Sequence, residues 1–94
     1  MQDDRFEWDD AKARANLKKH DVSFEVARRV FDDPAAIDER DDSDAQREDR
    51  SVIIGMVAGG LLTVVYTERE DCLRIISARK ATRREQVRYF SQSF

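Results

Sequence analysis

A single cysteine, Cys72, leaves no partner for an internal disulfide, and with only one histidine, His20, the chain lacks the Cys/His cluster that a zinc site needs. Cys72 among apolar neighbours reads as packing filler suited to a reducing compartment. No apolar run approaches the roughly 20 residues that cross a bilayer. The opening Met-Gln-Asp-Asp-Arg lacks the basic-then-apolar order of a signal peptide, so the expected location is cytoplasmic. Glycine is scarce, and Gly59-Gly60 reads as a hairpin turn rather than a phosphate-binding loop. Asp38, Asp41, Asp42 and Asp44 form an acidic stretch, but it lacks the mid-loop glycine and closing glutamate of a calcium loop. It reads as a solvated loop, and neither metal nor cofactor is expected.

Charge is what the chain has in excess, at 39% of its 94 residues, and it is unevenly placed. Residues 1–50 sum to −6 and residues 51–94 to +3, for a total of −3. Within 72–94, Arg74, Arg79, Lys80, Arg83, Arg84 and Arg88 face one acid, Glu85, a local +5. An acidic body with a basic end suits a short, oriented contact with a polyanion or an acidic protein segment. Indiscriminate nucleic-acid binding does not fit, because the body repels phosphates outside that patch. For any one of these arginines, a solvated helix face is the alternative.

Periodicity predicts one α+β domain. Phe6 to Trp8 reads as a short strand, and Asp9 or Asp10 caps a helix over Ala11 to Lys19 whose Ala13 and Leu17 face the core. Asp21 takes the left-handed position after it. Ser23 caps a second helix with Phe24, Ala27, Val30 and Phe31 on one face, and Asp32-Asp33-Pro34 ends it. Strands follow: a start at Ala35 to Ile37, then Ser51 to Val57, a central buried run Leu61 to Thr67, and Cys72 to Arg79. Thr82 and Glu85 form a capping box for a last helix with Val87, Phe90 and Phe94 inward. Two N-terminal helices, an antiparallel meandering sheet and a C-terminal helix are expected.

Chemistry without a metal falls to arginine, histidine and tyrosine. RNA is cut when its own 2′-hydroxyl attacks the adjacent phosphate, which needs a proton acceptor, positive charge on the phosphorane and a donor near the leaving oxygen. Arginine suits the phosphorane, since its planar fork binds two phosphate oxygens and stays charged. Arg50, Arg69 and Arg79 lie at strand ends or turns where a meander brings neighbours together. His20 titrates near neutrality, but at a helix C-terminus it serves equally as a cap and dipole partner. Tyr66 suits a phosphate bond or base stacking, or else a half-buried core position. Trp8 reads as core. Arg74, Lys80, Arg83 and Lys19 are the candidates for contact with a polyanion, which the resemblance below implies is RNA. Arg74 and Arg79 differ by an odd number, so an undistorted strand points them to opposite faces. Arg79 is therefore the choice for chemistry, with Arg74 at the rim or against a protein partner.

Two long stretches carry a resemblance. Phe6-Glu7-Trp8-Asp9, Lys12, Asn16, Lys19-His20, Ser23-Phe24 and Phe31 come first. Arg50, Gly55, Val65-Tyr66-Thr67, Arg74-Ile75-Ile76-Ser77-Ala78-Arg79 and Arg83-Arg84-Glu85 follow. In this order they resemble the BrnT family, small toxins of bacterial type II toxin-antitoxin pairs. Asp21 stands where that family commonly has glycine, and the stretch from Asp38 to Asp49 is unusually acidic. The resemblance implies a fold related to the RelE toxins, metal-independent RNA cleavage and translation inhibition. It also implies neutralisation by a BrnA-like ribbon-helix-helix antitoxin, in a heterotetramer that reaches operator DNA only through the antitoxin. It marks Arg50 and Arg79 as family positions. A non-catalytic module that binds a DNA-binding antitoxin and helps repress its operon is the competing reading; the two differ in whether the isolated chain cuts RNA. Direct DNA binding by the last helix has no helix-turn-helix to support it.

Overall fold

The computed structural model describes residues 5–41 and 49–92. Asp42, Asp44 and Phe94, which entered the expectations above, lie outside them. The elements run β1 (Phe6–Glu7), α1 (Asp10–His20), α2 (Phe24–Ala27) continued by a 3-10 turn (Arg28–Asp32), β2 (Ile37–Arg40), β3 (Arg50–Val57), β4 (Gly60–Arg69), β5 (Cys72–Lys80) and α3 (Arg83–Phe90). The five strands form one sheet in the order β1-β5-β4-β3-β2.

The sheet is mixed rather than antiparallel. β2 to β5 form the expected antiparallel meander, but β1 joins β5 in parallel, pairing Phe6 with Leu73 and Glu7 with Arg74. The reason is the connection. Two helices carry the chain from β1 to the far edge at β2, and the meander then returns to the first edge running the same way as β1.

Local signals place the helices. Asp9 accepts from the amides of Ala11 and Lys12 and caps α1, and Asp21 ends it in the left-handed region at φ 57°. Ser23 caps α2 through Val26 N–H. Phe24, Ala27 and Val30 are fully buried with Phe6, Trp8, Ile53, Val64, Tyr66, Ile75 and Ala78, and this is the main core.

Leu17 does not join it. It is 48% exposed, and its neighbour Asn16 is buried instead. The Asn16 amide accepts from Ala78 N–H (3.1 Å) and donates to Ala78 C=O (2.8 Å) and Val22 C=O (2.9 Å). β1 is only two residues long, and Asn16 pairs the edge of β5 where β1 has ended. That contact fixes the rotation of α1 and turns Leu17 aside.

α3 covers one end of the opposite face. Its buried residue is Tyr89, packed near Ile54 and Ala81, while Val87 and Phe90 are 57% and 64% exposed rather than inward. Three polar clasps set this rotation. Glu85 closes the capping box with Thr82 and accepts from Thr63 and Arg79; Tyr89 donates to Asp33; Arg88 forms a two-pronged pair with Glu39. Glu85 and Tyr89 stand one turn apart on the inner stripe, which leaves Val87 and Phe90 outside.

Candidate functional site

One irregularity decides which arginines share a face. Val65 pairs with Ser77, but the next residue, Tyr66, pairs with Ile75, so Ile76 is an extra residue bulged out of β5. The bulge restores parity across the odd interval. Ile75 and Ala78 both enter the main core, and Arg74 and Arg79 both point to the α3 face.

That face is ordered in rows across the strands. Ile37, Ile54, Thr63 and Arg79 form the row beneath α3. Glu39, Val52, Val65 and Ser77 form the next, at the margin where Arg88 reaches Glu39. Beyond it lies Arg50, Thr67, Arg74 and Glu7, running through four strands, and at the outer end Arg69 opposes Cys72. Every α3 clasp falls on the first two rows or on Asp33, so none reaches the row of Thr67.

Arg50, Arg69 and Arg74 therefore surround Thr67. With strands roughly 4.8 Å apart, the backbones of Arg50 and Arg74 stand about 10 Å apart on either side of it, and Arg69 lies about 7 Å along β4. Arg74 donates to Glu7 Oε2 at 2.5 Å, and Cys72 Sγ donates to Glu7 Oε1 at 2.9 Å. These two bonds hold the Glu7 carboxyl below its ordinary range, while the same carboxylate and burial push the Cys72 thiol up. Cys72 is thus a donor on a charged face, not core filler. Among the described residues, the side chains of Arg50 and Arg69 have no ion pair. Thr67 is 5% exposed, and among the described residues its Oγ1 has no hydrogen-bond partner.

The other candidates stand elsewhere. Arg79 lies four residues along β4 from Thr67, roughly 13 Å, opposite Thr63. Its guanidinium is bound to Glu85 through both oxygens at 2.7 and 3.0 Å. Tyr66 faces the main core, edge-on to Phe31, with its hydroxyl donating to Asp38 at 2.6 Å. Burial, then the Asp38 carboxylate, raises its pKa well above the usual phenol range. His20 ends α1 one turn beyond Asn16, on the Ala78 side and away from Arg74. Lys19, Lys80 and Arg83 are exposed, the latter two at the junction of β5 and α3.

Glu7 and Thr67 are the residues that pattern reading missed as site members. Both lie in the stretches quoted for the resemblance, and strand alternation from Tyr66 already turns Thr67 away from the core. The missing signal was register: only the pairing of β3, β4, β5 and β1 shows that Thr67 falls between two arginines and beside a carboxylate.

Comparison with known proteins adds one finding. Residues 8–85 match the family model described as the ribonuclease toxin, BrnT, of type II toxin-antitoxin system. A search of curated proteins gave no match. Among the described residues, no helix is long and apolar enough to cross a membrane. The matched span runs from Trp8 to Glu85, including every strand from β2 to β5 and the capping box of α3, and the chain accordingly belongs to the BrnT family of type II toxin-antitoxin ribonuclease toxins.

Proposed function

We propose that this chain is a metal-independent endoribonuclease that inhibits translation in the cytoplasm, with its RNA site on the open half of the α3 face. The observation that supports this reading most is the grouping of Arg50, Arg69 and Arg74 around Thr67, in a family defined by ribonuclease toxins. In the proposed reaction the 2′-oxygen attacks the adjacent phosphorus, and the 5′-oxygen leaves and takes a proton from water, giving a 2′,3′-cyclic phosphate and a 5′-hydroxyl end. The phosphorane between these states carries more negative charge than the diester, and arginines fixed on adjacent strands stabilise it without reorganising. Glu7 supplies a carboxylate beside them to receive the 2′-proton. Arg79 acts here through the fold, by holding α3.

The purified chain, freed of any partner, is expected to cleave single-stranded RNA in the presence of EDTA. Arg50→Ala and Arg69→Ala should each lower the rate by about a hundredfold, the usual loss for one transition-state donor. Activity that vanishes with EDTA and returns with magnesium would refute the metal-free mechanism. Full activity in both arginine variants would move the site off this face.

The second half of the proposal is the partner, a BrnA-like ribbon-helix-helix antitoxin in a heterotetramer. Val87 and Phe90 are exposed on α3, and Phe90 borders a groove of about 320 Å³ that Met56, Leu61, Lys80 and Ala81 also line. An apolar strip fringed by Lys80, Arg83 and Arg84 suits an acidic amphipathic segment. The same exposure favours the competing reading, a non-catalytic module that co-represses its operon through the antitoxin. RNA cleavage by the isolated chain separates the two. Association that slows with salt, and a mass of two toxins with two antitoxins, are the expected results for the complex.

A further inference from the structure

We propose that Thr67 is the centre of a phosphate subsite that binds the 3′-phosphoryl group of a nucleotide, with the sugar and base lying toward α3 over Val52 and Val65. The proposal rests on the RNA reading above and assigns it one position on the sheet.

The first argument is the hydroxyl itself. A buried side-chain oxygen with no partner is uncommon and costs stability, because its hydrogen bonds to water are lost without replacement. Thr67 Oγ1 is in that state, on the same side of β4 as Val65, where a purely apolar side chain fits the sheet. Neither flanking arginine relieves it as an acceptor, and a guanidinium has no acceptor to receive its proton. An anion does. An oxygen of a phosphate that reaches Thr67 as the side chains over its buried Oγ1 part would accept from that hydroxyl, with Arg50 and Arg74 on the two sides and Arg69 at the outer end.

The second argument is charge. Within the two rows of this face that hold Thr67 and Arg69, Arg50, Arg69 and Arg74 face one carboxylate, Glu7, a count of +2 that leaves aside Glu70 and Asp71 in the turn beyond Arg69. A phosphate monoester carries about −1.5 to −2 at neutral pH, and a diester only −1. The excess matches a terminal 3′-phosphate or a doubly charged phosphorane better than a diester in the ground state. A site so balanced holds the transition state more tightly than the intact strand. Arg74 keeps donors for this purpose, since its bond to Glu7 uses NH1 and a guanidinium has five N–H groups.

The third argument is direction. From Thr67, the outer end of the sheet is polar, with Arg69 opposite the Cys72 thiol, whereas the neighbouring row toward α3 presents half-buried Val52 and Val65. A ribose and base find apolar contact only on the α3 side.

Isotope-labelled chain titrated with adenosine 3′-monophosphate, and separately with inorganic phosphate, tests this by amide chemical shifts. The expected result is a perturbation centred on Thr67, Arg50 and Arg74, spreading to Val52 and Val65 with the nucleotide alone. Thr67→Val should weaken nucleotide binding about tenfold, the usual effect of one hydrogen bond to a charged group. Thr67→Ser should bind like the wild type, and Lys18→Gln, exposed on α1, should be unaffected. Shifts centred on Lys80, Arg83 and Arg84, or unchanged affinity in Thr67→Val, would overturn the assignment. Should Thr67→Val not fold, the wild-type map and Thr67→Ser decide. RNA cleavage followed in parallel keeps the two readings apart: nucleotide at Thr67 without cleavage leaves the subsite and removes the ribonuclease, and cleavage with no nucleotide at Thr67 does the reverse.

Discussion

Removing either partner of the Arg79–Glu85 pair should destabilise the protein, and the pH dependence should reveal why. Glu85 is half-buried, and that desolvation alone would raise its pKa. Bonds from Arg79, from the Thr82 N–H (2.8 Å) and from the Thr63 hydroxyl (2.9 Å) outweigh this and hold it at about 2, against an ordinary 4.5. At about 1.4 kcal/mol per decade of acidity, such a displacement corresponds to about 3 kcal/mol. The Arg79 side chain is 39% exposed, so solvent screening reduces the expected contribution to about 2 kcal/mol. Because the folded pKa is depressed, the contribution is complete above about pH 4.5 and disappears as pH falls through 2. Glu85→Gln should therefore lower the unfolding free energy by about 2 kcal/mol at pH 7, with the gap from wild type closing toward pH 2. Urea titration followed by the fluorescence of buried Trp8 measures both. Arg79→Ala should lose a similar amount at pH 7, and the double variant less than the sum of the two. An Arg79→Ala protein that unfolds at the wild-type midpoint would refute the reasoning and free Arg79 for chemistry. A Glu85→Gln gap that stays constant from pH 7 to pH 2 would assign the loss to packing instead.

Asn16→Ala should cost about 2–3 kcal/mol, because it leaves the buried amide and carbonyl of Ala78 unpaired; thermal unfolding reads the loss, and a neutral result would deny Asn16 its role on the β5 edge. Gly55→Ala should destabilise by about 1–3 kcal/mol, since a Cβ there meets Val30 Cγ1 at 2.8 Å, Val30 O at 3.2 Å and Ala36 Cβ at 3.3 Å. Wild-type stability in that variant would mean that the turn after α2 moves away freely. Ala58 and Gly59 sit at φ 48° and 85° between Val57 and Gly60, the geometry of a two-residue hairpin that prefers Asn-Gly. Ala58→Asn should stabilise by about 0.5–1 kcal/mol in the same urea assay, and any destabilisation would contradict the turn assignment.

The parts of the fold legible in the sequence were those fixed by neighbours in the chain. Asp9, Ser23 and Thr82 announce helix starts because their side chains bond amides two or three residues on, and Asp21 announces a stop because few other residues tolerate its φ. The apolar run of β4 is equally plain, since a strand buried on both faces has no polar side to show. What alternation could not supply is rotation and register. Leu17, Val87 and Phe90 are apolar at helical spacing, yet Asn16 in one helix and Glu85 with Tyr89 in the other determine which stripe meets the sheet. Polar contacts between distant segments outrank a weakly amphipathic pattern. For the same reason Arg50 and Arg69 were visible as candidates, whereas Thr67 and Glu7 were not: a neutral hydroxyl and a paired acid gain meaning only from what the adjacent strands place beside them.

The extra residue at Ile76 makes the last strand a message with a shifted reading frame. Before it, odd positions such as Leu73 and Ile75 belong to the main core; after it, the even position Ala78 does. Pressing Ile76 into the regular ladder, with no residue added or removed, would leave every side chain chemically unchanged and still exchange the two sides of everything downstream. The Arg79 guanidinium would be driven toward Phe24 and Val64, and Ala78 would turn to α3, with nothing to offer Glu85. One residue's worth of length, rather than any functional group, thus ties the cationic end of the sheet to the helix that closes its other end.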